Sequence, residues 1–449
     1  MKTAVDEVYS VLSGNFGGDL LRPDNAGYPE AKKVWNGMVA RSPSLIARCT
    51  DVADIQSAVR AARESGVVTA VRCGGHSLAG HSTCDGGLVI DLSHLRQIEV
   101  DAGKRRARFA GGCLLGTVDK ATQSAKLVFP AGVVSETGAA GLVLGGGYGW
   151  TTRRFGLSCD NVLGFSLVTA DGAIQRASAQ ENAELFWALR GGGGNFGVVT
   201  EFVVQLHPLS SLLFATAEYA GDNIPRILEY WREFMAQAPD ELKWSFSLRQ
   251  KIATCAVTWI GDPEEGGPAV DSALAVCGAS CITRSVMSFL ELQTAADWEF
   301  PAGRRYYTKS GYLKTLDDRS LQCMIKAMDT MPSVMSQIEI SYQGGAAARI
   351  GAGETAFGDR SSPFIVNILC SWDQAAEDAT NIAWTRALFA ELQPSMTPGA
   401  YVNFMSGDED TRVHEAYRER WDRLVAVKTH YDPTNFFRLN ANIPPDKNA

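Results

Sequence analysis

The first residue whose setting suggests chemistry is His76, in Arg72-Cys73-Gly74-Gly75-His76-Ser77, directly after the β-branched run Val67-Val68-Thr69-Ala70-Val71. A histidine between glycine and serine at the end of a strand is presented to a partner rather than packed, and its imidazole then offers a nitrogen for bonding or proton transfer. His81 follows closely, but no third histidine or carboxylate stands nearby at ligand spacing, so no metal is expected. Two further glycine clusters lie at 138–149 and 191–197. Glycine lets the main chain approach a large anionic ligand without a Cβ in the way. Gly192-x-Gly194-x-x-Gly197 matches the dinucleotide pattern, yet it follows the helix-like NAELFWALR and precedes the strand-like run 198–206. The true fingerprint runs from strand to helix, so a Rossmann site is disfavoured.

The elements that must position these residues follow from the hydrophobic pattern. Val52, Ile55, Val59 and Ala62 recur at helical spacing before Gly66, which predicts a helix ahead of the strand at 67–71, with another strand from Leu88 to Leu92. Glycine is the compositional outlier, 44 of 449 residues against roughly 7% in average usage, and most of the clustered ones precede residue 200. Residues 210–410 read differently, as Trp- and Tyr-rich strands alternating with helices, which places a change of domain near 208–214. The period-two stretches Gln337 to Gln343 and Phe364 to Ile368 predict half-buried strands of one antiparallel sheet.

The chain is too long for one ordinary core, and with 45% hydrophobic and 20% charged residues it is expected to fold. Its 42 Lys and Arg against 50 Asp and Glu include no basic stripe, which argues against nucleic acid or an anionic membrane as partner. No run of about 18 apolar residues occurs, and MKTAVDEVYSVLSGNF lacks a signal-like apolar core, so a soluble, cytoplasmic protein is expected. The ten cysteines are scattered, and the nearest pair, Cys277 and Cys281, is not a CxxC motif. They read mostly as reduced, buried small hydrophobes.

Five ordered motifs carry a family resemblance. The Arg72 to Ser77 segment, FPAG with GLVLGGGYG at 129–149, FGLSCDNVLG at 155–164, RGGGGNFGVVT at 190–200 and YDPTNFFRLNANIPP at 431–445 together resemble the berberine-bridge-enzyme-like FAD-linked oxidases of the vanillyl-alcohol-oxidase superfamily. The likeness runs from about residue 35 to the C-terminus and is nearest to bacterial members of the 6-hydroxy-D-nicotine oxidase and enterocin oxygenase types. It implies an α+β fold: a two-subdomain FAD-binding domain over 1–210, an α+β substrate cap carrying an antiparallel sheet over 211–410, and a C-terminal return to the FAD domain over 411–449. It further implies FAD bonded covalently to His76. Arg72, Gly74, Gly75, Ser77, Gly132, Gly138, Gly141, Gly145, Gly147, Asn161, Val199, Asn440 and Asn442 would lie around the cofactor. Many members carry a second, cysteinyl link where this chain has Val134, so attachment through His76 alone is expected. The implied reaction takes a hydride from a small alcohol, amine or phenolic or polyketide-like substrate, with O2 giving H2O2. The small Ala139 stands where the family tunes oxygen access. An enterocin-type oxygenase and a flavin-binding protein without turnover are the alternatives. Substrate and O2 are the expected partners of a monomer or homodimer.

The base that accompanies hydride removal is less evident. In many family members it lies on a cap strand ending in Trp, and measured back from Trp372 that position is Asn367, which cannot take a proton. A second family tyrosine is replaced by Phe404 in Tyr401-Val402-Asn403-Phe404. Glu339, Tyr401 and either Tyr307 or Tyr312 remain as candidates. Period-two geometry puts Glu339, Ser341 and Gln343 on one face, opposite Ile338 and Ile340. If that face looks toward the flavin, Glu339 is the base; if it looks into solvent, it is an ordinary strand glutamate. Tyr401 is either catalytic or a core aromatic with a satisfied hydroxyl. His414 and His430 are expected at the surface or in packing roles.

Overall fold

The computed structural model describes residues 3–276 and 278–447, so Cys277 of the closest cysteine pair lies outside the described residues. The helix expected ahead of His76 forms as Val52–Glu64, capped by the Asp51 carboxylate, with Ile55, Ala58, Val59 and Ala62 facing the core. Two small sheets, with a short two-stranded pair of Leu127–Val128 and His207–Pro208 beside them, make up the first part of the chain. One contains Asp19–Leu21, Leu45–Arg48, Leu88–Asp91 and Thr69–Arg72 in that spatial order, and its last three strands are parallel. The strand at 67–71 thus starts slightly later than expected and delivers the chain straight into the His76 turn. The other sheet is antiparallel, ordered Ile98–Asp101, Arg106–Ala110, Val198–Gln205, Val162–Val168 and Ile174–Ser178.

From Leu212 onward the architecture changes. Seven antiparallel strands form one sheet, ordered Ala279–Met287, Leu212–Ala220, Ile252–Trp259, Leu242–Arg249, Gln337–Tyr342, Phe364–Trp372 and Arg305–Leu313. On one face Trp244, Phe246, Ile338, Ile340, Val366 and Ile368 are packed under helices into a single core. The alternate residues of the same central strands point the other way, toward the first part of the chain. The mixed α+β architecture expected from the sequence is therefore the one observed.

The C-terminal segment packs back on the early sheets. Lys428, in the helix Trp421–Tyr431, is fully buried and donates to the Asn195 carbonyl (2.8 Å), the Asp432 carboxylate (2.7 Å) and the Phe437 carbonyl (2.9 Å). Asn195 in turn holds Ala441 and Ile443. Three acceptors around one buried ammonium satisfy its donors, the condition under which burying a charge is tolerated. No helix among the described residues is long and apolar enough to cross a membrane.

Candidate active site

A cavity of about 1030 Å³ lies between the glycine clusters and the polar face of the seven-stranded sheet. Gly74, Gly75, His76, Ser77, Gly132, Val134, Gly138, Gly141, Gly145, Val199 and Asn440 line it, with Tyr401 beside the 138–149 turn, and Glu339 and Asn367 line it from the sheet. The His76 turn and the 138–149 turn touch through bare backbone. A Cβ on Gly74 would stand 2.5 Å from the Gly138 nitrogen, and one on Gly138 only 2.4 Å from the Gly74 nitrogen, so neither position admits a side chain.

Other expected site residues face away from the cavity. Arg72 is buried against Asp91, 2.6 Å from its carboxylate, and ties two parallel strands together. Asn161 spends its amide on the carbonyls of Phe155 and Leu157 (both 2.9 Å) and meets the His207 ring at 2.6 Å. Gly147 serves the turn itself, with φ +83° and Ser158 Oγ only 2.0 Å from where a Cβ would sit. Asn442 is off the cavity wall, beyond Asn440 and Ala441, which line it. Ala139 is fully buried in the core, so the cavity wall at that turn is made by Gly138 and Ala140. Tyr307 is directed to Asp408 (2.7 Å) and Arg386 (2.9 Å), and Tyr312 is sealed in a separate cluster with Phe357 and Tyr401. Within one motif, residues that line the cavity therefore stand beside residues that brace it. His414 and His430 are exposed.

His76 has no hydrogen-bond partner for its buried Nε2. Burial pulls its pKa down to about 4, so the ring is neutral at neutral pH, with a lone pair available. An orphaned imidazole nitrogen beside a cradle of bare backbone fits a large cofactor bound at this wall. His81 also reaches the cavity, and among the described residues no group of three or more His, Cys, Asp or Glu is placed to hold a metal ion.

Across the cavity the sheet presents an ordered polar chain. Arg249 donates to Gln337 Oε1 (2.6 Å), Gln337 donates to Glu339 Oε1 (2.9 Å), and Asn367 donates to Glu339 Oε2 (2.8 Å). Register makes this possible, because Ser247 and Asn367 flank Glu339 on the two neighbouring strands. Burial raises the Glu339 pKa; the Asn367 bond and the cations Lys243 and Arg249 act against that rise, while Glu299 adds to it. Asn367 Oδ1 is buried without a partner and is left as an acceptor beside the carboxylate.

Lys243 and Tyr148 were not singled out in the sequence. Lys243 is 4% exposed, donates to the Gly149 carbonyl at 2.9 Å and lies 4.5 Å from the centre of the Tyr148 ring. Burial lowers its pKa to about 7, with Glu339 opposing and Arg153 assisting the drop. The signal that could have found it is the alternation Lys243, Ser245, Ser247, Arg249 against Trp244, Phe246, Leu248 in the strand Leu242–Arg249.

Tyr401 is better described as a clamp. Its hydroxyl oxygen accepts from the Gly147 and Tyr148 amides (3.1 and 3.2 Å) and from Asn403 (2.9 Å), and burial pushes its pKa up to about 12. Tyr401→Phe strands two buried N–H groups and is expected to lower stability by about 1–3 kcal/mol, measured by urea unfolding. Flavin content should change little.

A large glycine-lined cavity with an orphaned histidine on one wall and a buried carboxylate on the other, on a mixed α+β scaffold, fits a protein that holds a large cofactor against a small substrate. Comparison with known proteins makes this specific. An FAD binding domain family matches residues 43–178, and a family described as berberine and berberine like matches residues 400–444. An FAD-linked oxidoreductase of Dictyostelium discoideum is 30% identical across 100% of this chain and 99% of its own. The (R)-6-hydroxynicotine oxidase of Paenarthrobacter nicotinovorans is 30% identical over 96% of this chain and 97% of that protein. The BBE-like 1 structure from Physcomitrella patens superposes with a TM-score of 0.90 at 26% identity, covering 99% of both chains. The chain belongs to the berberine-bridge-enzyme-like FAD-linked oxidoreductases and is an FAD-dependent oxidoreductase.

Proposed function

We propose that this protein is an oxidase of a small alcohol, amine or phenolic substrate, with FAD bonded to His76 alone and O2 as the electron acceptor. Residues 1–210 and 411–449 hold the cofactor in this reading, and 211–410 hold the substrate. The observation that carries it is the placement of Glu339 on the cavity wall facing the His76 turn, its carboxyl gripped by Asn367 and Gln337. The bound flavin supplies the electron-accepting chemistry; the protein supplies position and proton transfer. Glu339, its pKa raised by burial, takes the O–H or N–H proton of the substrate as the adjacent C–H bond breaks. Asn367 keeps the carboxylate oriented, and its free Oδ1 is an acceptor for a second substrate donor. Val134 lines the cavity where a cysteinyl link would be made, which supports a single attachment point.

Two measurements test this reading. Acid precipitation should leave the yellow colour with the protein pellet; release of all FAD to the supernatant would refute the covalent bond. An anaerobic screen of alcohols, amines and phenols should find compounds that bleach the flavin absorbance, and the same compounds in air should give one H2O2 per turnover. Bleaching without peroxide on reoxidation would move the assignment to the oxygenating type.

A further inference from the structure

The ring packed on His76 belongs to a residue outside every glycine motif, Trp35. Its indole stacks on the His76 ring, with centroids 4.0 Å apart and planes 19° from parallel. On its other face it stacks on Tyr306 at 3.8 Å and 13°. The three rings form a column from the cavity wall to the edge strand Arg305–Leu313 of the seven-stranded sheet. The indole N–H is itself anchored, donating to the Phe300 carbonyl at 2.9 Å.

The backbone around Trp35 reinforces the column. The Trp35 amide donates to the Gly75 carbonyl (3.0 Å), and its carbonyl accepts from Gly303 (2.8 Å). Asn36 donates to the carbonyls of Leu78 (3.1 Å) and Tyr306 (3.0 Å), and Gly37 donates to Arg304 (2.8 Å). Residues 35–37 therefore strap the His76 turn to the substrate sheet. A histidine needs such help more than most residues, because the torsion about its Cβ–ring bond is broad rather than confined to staggered wells. With Nε2 unpartnered, that nitrogen gives the ring no hydrogen bond to set its angle.

We infer that Trp35 is a positioning residue for covalent flavin attachment, holding the His76 imidazole at the angle from which its nitrogen meets the flavin 8α carbon. This rests on the His76 link proposed above. In that step a C–N bond replaces one 8α C–H bond. The 8α proton and the imidazole N–H proton are both released, and the electron pair of the broken C–H bond passes through the ring system to O2, which takes up two protons and leaves as H2O2. Ring misplacement of the order of 1 Å is enough to slow a bond-forming step about a hundredfold. Loss of the indole is therefore expected to act on attachment before it acts on binding.

The test compares wild type with Trp35→Phe and Trp35→Leu, each produced with FAD present. Total bound flavin is read from the native absorbance, the covalent share from fluorescence of the protein band after denaturing electrophoresis, and folding from the thermal midpoint. Trp35→Phe keeps a stacking face and should keep most of the covalent share. Trp35→Leu should lose it about tenfold or more, with a much smaller drop in total bound flavin. The inference fails if the Leu variant keeps the wild-type covalent share, if Phe and Leu behave alike, or if covalent share merely tracks the thermal midpoint. Should Trp35→Leu not fold, Tyr306→Leu decides, since it removes only the far layer of the column; an unchanged rate of covalent incorporation would overturn the inference. A wild type that releases all its FAD in acid would instead overturn the His76 link, and this role with it.

Discussion

Glu339→Gln should slow anaerobic flavin reduction by about 10²–10⁴-fold, the range a positioned general base contributes, while leaving the fold and the flavin content intact. The amide is close to isosteric, and the cap core under Ile338 and Ile340 is untouched. What it cannot do is take a proton. In wild type the reduction rate should fall as pH drops through the Glu339 pKa, because the carboxyl must be ionised to act. Burial places that pKa above the ordinary 4.5, so the acid limb should lie above that value as well. The Gln variant should lose this limb along with the rate. A variant that reduces its flavin at the wild-type rate would remove Glu339 from the mechanism and return attention to Tyr148, whose buried hydroxyl also has no partner.

The glycine side of the cavity was more legible in the sequence than the sheet side for a physical reason. Glycine reports a local demand, close backbone approach or positive φ, and a cluster such as 138–149 announces that demand wherever it occurs. Gly74 and Gly138 answer to each other across two loops, yet each was visible alone. The weakness of motif reading is that it does not separate the residue that touches the ligand from the one that braces it. Arg72 and Asn161 sit in cofactor motifs and are occupied by Asp91 and by local carbonyls. On the sheet, the period-two pattern identified the face of Glu339. Its partners came from strand register that no single segment contains, with Ser247 on one side and Asn367 on the other. An asparagine amide cannot act as a base, and the donation from Asn367 to Glu339 depends on that pairing. The column of His76, Trp35 and Tyr306 joins residues far apart in the chain, and only the fold brings them together.

Lys243→Met should make the protein more stable and a poorer catalyst. A lysine pulled from its ordinary 10.5 to about 7 is charged in both folded and unfolded states below pH 7, and there the folded state bears the whole cost of burying the ammonium. Between pH 7 and 10.5 the folded protein sheds the proton first, so the cost falls as pH rises and is gone once both states are neutral. At about 1.4 kcal/mol per pKa unit the upper bound is ~5 kcal/mol, offset by roughly 1–3 kcal/mol for leaving the Gly149 carbonyl without its donor. The Met variant should accordingly gain about 2–4 kcal/mol near pH 6 in urea unfolding, and as pH climbs toward 10.5 the gain should give way to a loss of about 1–3 kcal/mol, the unpaired Gly149 carbonyl then being the only difference left. An equal gain at both ends of the range would mean that Lys243 is not buried as a charge. The catalytic effect has the opposite sign. The Lys243 charge lowers the Glu339 pKa, so without it the carboxyl holds its proton to higher pH and the acid limb of flavin reduction moves upward. A cation that costs stability, poised near neutrality between the Tyr148 ring and Glu339 of the neighbouring strand, is what the proposed base needs to stay ionised at lower pH.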